Sequence, residues 1–68
     1  MSVIKIIELV GESPKGWEDA VQGAVKEASK TIRGITRVGV KDMDVKMEGS
    51  KIAAYRARVE ISFRLERK

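Results

Sequence analysis

Residues 3 to 10 read V-I-K-I-I-E-L-V, a β-rich run that is apolar on both faces, with only Lys5 and Glu8 interrupting it. A strand of this kind has to be covered on both sides. In a chain of 68 residues, one helix can cover only one of them. The other cover has to come from a second subunit. Size points the same way, because a domain this small buries only roughly 60% of the surface its unfolded chain exposes. Such domains usually need a staple, meaning disulfides, a metal or oligomerisation. The chain has no cysteine and no histidine, which removes disulfides, thiolate sites and the commonest transition-metal ligand. Self-assembly is the staple that remains.

The rest of the chain divides cleanly. Gly11-Glu12-Ser13-Pro14 ends the first strand and opens a helix, with Ser13 as N-cap and Pro14 at the first helical position. Trp17, Ala20, Val21, Ala24, Val25, Ala28, Thr31 and Ile32 recur at three- and four-residue spacing and make one stripe. Acidic residues open this segment and basic ones close it, as the helix dipole favours. Gly34 stands where a left-handed residue ends a helix. These signals predict a helix from Pro14 to Arg33. A second strand is expected from Ile35 to Met47, with a bulge near Lys41 to Met43 where the alternation slips. Glu48-Gly49-Ser50 is a hairpin turn. In the third strand, Tyr55, Ala57, Val59, Ile61, Phe63 and Leu65 alternate with Arg56, Arg58, Glu60, Ser62 and Arg64. The expected fold class is α+β, a single β-α-β-β domain over residues 1–68. The last two strands form an antiparallel hairpin, and the helix lies across one face of a three-stranded sheet.

Chemistry is sparse. No serine or threonine has a histidine base, no carboxylate pair forms an acid/base motif, and there is no phosphate-cradling glycine loop, so an enzyme is not expected. Asp42 and Asp44 share a strand face and offer hard oxygen ligands for a cation such as calcium. Arg37, Arg56, Arg58 and Arg64 form a polar set on the hairpin that suits phosphate or carboxylate. Their alternative role is an exposed face balanced by Glu60, Asp42 and Asp44. Trp17 on the helix stripe reads as a core or interface residue rather than a stacking platform. The net charge of +4 is mild and interleaved, which argues against nucleic acid. The N-terminal run has no features of a signal peptide, and no stretch is long enough to span a bilayer. A soluble, cytoplasmic protein without a membrane partner is the expectation.

Taken together, V-I-K-I-I-E-L-V-G-E-S-P-K-G-W-E-D-A, the helix, D-M-D-V and A-Y-R-A-R-V-E-I-S-F-R-L closely resemble the dodecins over nearly the whole chain. The resemblance implies a sheet wrapped around its helix and a hollow homododecamer of tetrahedral (23) symmetry. It also implies flavin storage, FMN or riboflavin, through a stacking Trp on the second strand and a Gln on the third. Here Arg37 stands at the Trp position and Arg56 at the Gln position. By that resemblance Arg37 and Arg56 would contact ring or phosphate, Val38 and Gly39 would line the pocket, and Lys41 would add charge near a phosphate. A second branch of the family lacks the Trp, and some of its members look like calcium-binding dodecins. D-M-D-V and Arg37 make this chain similar to that branch. Asp42 and Asp44 are then the metal candidates, with Glu48 and Glu60 behind them.

Overall fold

A computed structural model of the chain describes residues 3–65. It has four elements, β1 (Ile4–Ser13), α1 (Trp17–Ser29), β2 (Ile35–Glu48) and β3 (Lys51–Arg64). The strands form one antiparallel sheet in the order β1-β3-β2. The strand with the strictest alternation is thus the central one. Its odd-numbered residues meet the helix, and its even-numbered ones form the opposite face. The expected β-α-β-β architecture is the observed one.

The core is thin and made of small side chains. Ala20, Ala24 and Ala28 of α1 are buried against Ala57, Val59 and Ile61 of β3. Ile7, Leu9, Val21, Ile32, Ile35 and Val38 pack around them. Alanine on the contact face lets the helix axis come close to the sheet. The tightest approach is at Gly11, where the strand backbone lies against the carbonyl of Ala20.

The helix is shorter at both ends than its periodicity predicts. Ser13 does not cap it. The β1 ladder continues through Ser13, which pairs with Tyr55, and the helix begins only after Gly16. Ser13 instead ties the turn together: its hydroxyl donates to Asp19 Oδ2 (2.6 Å) and accepts from the Lys15 N–H (3.0 Å). At the other end, the N–H groups of Thr31 and Ile32 both reach the carbonyl of Ala28, so regular α-helix stops at Ser29. Gly34 does take a left-handed φ of 77°. Its carbonyl accepts from Arg64 N–H (3.1 Å), so the residue serves the sheet rather than the helix end.

The hairpin turn lies at Gly49-Ser50, flanked by the Glu48–Lys51 pair, and Gly49 has φ 61°. β3 starts at Lys51, earlier than its alternation predicts. A register shift between Val40 and Asp42 places the bulge at Lys41, within the expected segment; two further shifts lie at Ile35/Arg37 and Lys46/Met47. None of the helices among the described residues is long and apolar enough to cross a membrane.

The molecule measures 53 × 20 × 13 Å. Thirteen helical residues span about 20 Å, whereas fourteen strand residues span about 47 Å. The hairpin therefore outruns its cover. The helix also lies over β1 and β3 more than over β2. On its side of the sheet Val40 and Met43 are left exposed, Met43 at 58%, and the paired Met47 and Ile52 are exposed near the hairpin turn, beyond the Lys46/Met47 shift. On the other side, Ile4, Ile6 and Val10 of β1 are exposed, Ile6 at 57%. The two-sided first strand thus has one face under the helix, through Ile7 and Leu9, and one face open.

Candidate ligand-binding face

The sheet face turned away from the helix carries nearly all of the chain's candidate chemistry. Pairing fixes who meets whom. Arg56 on the central strand lies between Glu12 on β1 and Asp44 on β2. Arg58 lies between Val10 and Asp42, with Glu8 diagonal to it. Glu60 lies between Glu8 and Gly39, and Ser62 between Ile6 and Arg37.

Two rows of charge result. Arg56 Nε is 3.8 Å from Glu12 Oε2 and 3.4 Å from Asp44 Oδ1. Arg58 Nη1 is 3.7 Å from Glu8 Oε1, and its Nε is 3.8 Å from Asp42 Oδ2. Each guanidinium sits between two carboxylates, one from each neighbouring strand. Lys41, the extra residue of the bulge, reaches the same face and lies 3.5 Å from Glu60 Oε2. Between the rows is a small depression lined by Val10, Asp42, Asp44, Arg56 and Arg58.

Arg37 differs from this set. It is exposed, faces Ser62 rather than an acid, and forms no ion pair among the described residues. Arg37, Gly39, Lys41, Asp42, Asp44 and Arg56 are therefore brought to one face. Val38 is not: it pairs with Ile61 and packs on the core from the helix side, so only its backbone borders the ligand face. Glu48 is at the hairpin turn, opposite Lys51 and away from the two aspartates. Among the described residues no three acidic side chains come close enough to hold a metal ion.

Trp17 caps the far end of the core. Its Nε1–H donates to the carbonyl of Asp44 (3.1 Å), and its ring meets Tyr55 edge-on with centroids 5.0 Å apart. It is 38% exposed and lies on the helix side, so it offers no platform to the opposite face.

The contribution of β1 to the ligand face was not visible in the sequence. Glu8 and Glu12 flank Val10 at the two-residue spacing of one face, which is the signal that marks them. Reading it requires knowing that β3, not β2, is the neighbour of β1.

Comparison with known proteins agrees with this architecture. The family model described as Dodecin matches residues 3–66. The calcium dodecin of Mycobacterium tuberculosis is 34% identical over 65 residues, covering 96% of this chain and 92% of the relative. The dodecin of Thermus thermophilus is 38% identical over 64 residues, covering 94% and 93%. Among solved structures, a single-residue variant of the T. thermophilus dodecin superposes with a TM-score of 0.94 at 34% identity over the whole of both chains. The M. tuberculosis calcium dodecin, described as having a novel calcium-binding site, superposes with a TM-score of 0.85 at 35% identity, covering 96% of this chain and 93% of that one. With the same element order, the same sheet and matches over almost its full length, this chain belongs to the dodecin family.

Proposed function

We propose that the protein is a non-enzymatic dodecameric cage that binds and stores a flavin nucleotide, FMN ahead of riboflavin. The observation that carries this is Arg37, an exposed cation with no acidic partner among the described residues, on the face where Lys41, Arg56 and Arg58 each stand against an acid. A flat guanidinium can stack on an isoalloxazine ring and also attract a phosphate. Gly39, with nothing within 4 Å of where a Cβ would stand, leaves room beside it. Lys41 and Arg56 would border the ring or its phosphate from the same face.

Titrating the protein into FMN and into riboflavin at micromolar concentration, with flavin fluorescence as readout, tests this. Quenching is expected for both. FMN should bind about tenfold more tightly, since a phosphate adds a charge-assisted contact that riboflavin lacks. Arg37→Ala should weaken both, and Arg37→Trp should strengthen both, because indole offers more ring area and no charge to desolvate. Absence of quenching with either flavin would refute the reading.

A second reading is favoured by a separate observation. Asp42 and Asp44 share the open face, and a relative named calcium dodecin matches almost the whole chain. Here calcium would have to draw both carboxylates away from Arg58 and Arg56. Binding in the millimolar range is the expected outcome, as in calcium sites of low ligand count. Calorimetry with calcium chloride should show a heat that Asp42→Asn/Asp44→Asn removes. A silent titration of the unmodified protein would dismiss calcium.

A further inference from the structure

We propose that the hairpin tip of one copy docks in a groove between β1 and α1 of the next copy, so that chains join head to tail. This contact rests on the proposed self-assembly and names two surfaces that meet in it. It needs neither flavin nor calcium.

The donor is the end of the hairpin that the helix does not reach. Met47 and Ile52 pair across the two strands there and are 50% and 52% exposed. Lys46 and Lys51 flank them in the chain, and neither is in an ion pair among the described residues. Glu48 opposes Lys51 at the turn, so the tip keeps a positive balance. It presents an apolar pair between cations.

The acceptor lies at the other side of the sheet. The strand order leaves the outer edge of β1 without a neighbouring strand. Along that edge runs a groove of about 320 Å³, lined by Leu9, Gly11, Gly23 and Ala24, with Glu12 and Glu27 beside them. Gly23 keeps it open, since nothing stands within 4 Å of where its Cβ would be. Glu27 is 3.1 Å from Lys30 and Glu12 is 3.8 Å from Arg56, with the two acid side chains 73% and 49% exposed. Ion pairs this open to solvent contribute little and leave each carboxylate able to take a further cation. An apolar floor between acids thus matches an apolar pair between lysines. The unpaired backbone along the edge of β1 can also receive an incoming strand.

A chain cannot fill its own groove. The start of α1 lies at Tyr55, where Trp17 meets its ring. From there Ile52 is three residues outward along β3, and Gly23 is six residues along α1 in the opposite direction, which separates them by about 19 Å. Tip and groove are different surfaces, so the contact is heterologous and closes only around a rotation axis. The threefold axes of the proposed tetrahedral cage supply that closure.

The chain has no cysteine, so introduced thiols report only the intended contact. A disulfide forms only where Cα atoms come within about 7 Å. Gly23→Cys/Ile52→Cys, oxidised in air at micromolar concentration, should run on a denaturing non-reducing gel as covalent trimers, with dimers as their precursors. Each single variant should stay monomeric on that gel. So should Ser29→Cys/Ile52→Cys, whose helix thiol is exposed but outside the groove. Gly23→Leu fills the groove without touching the protomer's own contacts, and light scattering should then find small species where the unmodified chain assembles. Lys46→Glu/Lys51→Glu should weaken assembly about tenfold, and adding Glu12→Lys/Glu27→Lys should restore it. Circular dichroism checks that each variant folds. If the unmodified chain assembles but no trimer is cross-linked and Gly23→Leu leaves assembly unmoved, this contact is overturned and the cage stands. If the unmodified chain stays monomeric, both are overturned.

Discussion

Gly11→Ala is expected to lose most of the protomer's stability, while Gly23→Ala, in the helix that packs on it, is expected to gain some. A Cβ on Gly11 would stand inside the carbonyl oxygen of Ala20, 3.0 Å from the carbonyl carbon and 3.3 Å from Ala24 Cβ. The atoms in the way are mostly helix backbone, which cannot rotate aside. The helix would have to lift from β1, and the same movement would open the contacts of Ala20, Ala24 and Ala28 with Ala57, Val59 and Ile61. Overpacking of a rigid core costs about 1–3 kcal/mol, and lifting the helix adds the loss of buried contacts along its length. A small domain has only about 0.05–0.15 kcal/mol per residue in reserve. Gly23 has nothing within 4 Å of its Cβ position and lies mid-helix, so alanine there should stabilise by roughly 0.5–1 kcal/mol. Thermal melting by circular dichroism at fixed protein concentration separates them. Each kcal/mol moves the midpoint of so small a domain by about 4–8 °C. A Gly11→Ala midpoint within two or so degrees of the parent would show that the helix does not rest on that glycine.

Much of this geometry was legible in the residues. The alternation of Tyr55 to Leu65 marked a strand with one covered face, because only such a strand keeps so strict a period. The alanines of the helix stripe marked the contact with it. The slip at Lys41 to Met43 marked the bulge at Lys41. What failed was local competition. Ser13-Pro14 is a good helix start taken by itself, but Ser13 also continues a ladder that β3 extends as far as Tyr55, and the ladder won. Cap propensity is worth about 1 kcal/mol, less than a continued ladder together with the Ser13–Asp19 hydrogen bond that ties the turn. The ligand face was half legible. Asp42 and Asp44 could be grouped on one strand face from their spacing. The turn alone, however, would set Asp44 against Tyr55, and only the register shift at Lys46/Met47 brings the two aspartates opposite Arg58 and Arg56. Glu8 and Glu12 could not be placed beside those arginines, because strand order is a property of the whole chain and not of any window in it.

Ile6→Asp is expected to abolish the cage while leaving the protomer folded. In the protomer Ile6 is 57% exposed and faces Ser62 on the side of the sheet away from the helix. A carboxylate there stays in water and costs the isolated fold little. In the proposed assembly the same position is covered by another subunit. An unpaired charge buried there costs about 3–5 kcal/mol, and a closed symmetric shell repeats the defect in every copy. Ile6→Ala should be milder, weakening assembly by the transfer of one aliphatic side chain, about 1–3 kcal/mol per buried copy. Multi-angle light scattering on an eluting peak, with circular dichroism as a check of the fold, measures both effects. The unmodified chain should run near twelve times the protomer mass. The aspartate variant should fall to small species that keep β-sheet and helix signals. The apolar side chains of Val40, Met43, Met47 and Ile52 remain bare in those species, so they should associate weakly as concentration rises. A dodecamer that survives Ile6→Asp would mean that this face of β1 is not an interface. The second cover demanded by an apolar strand in so short a chain would then have to come from elsewhere.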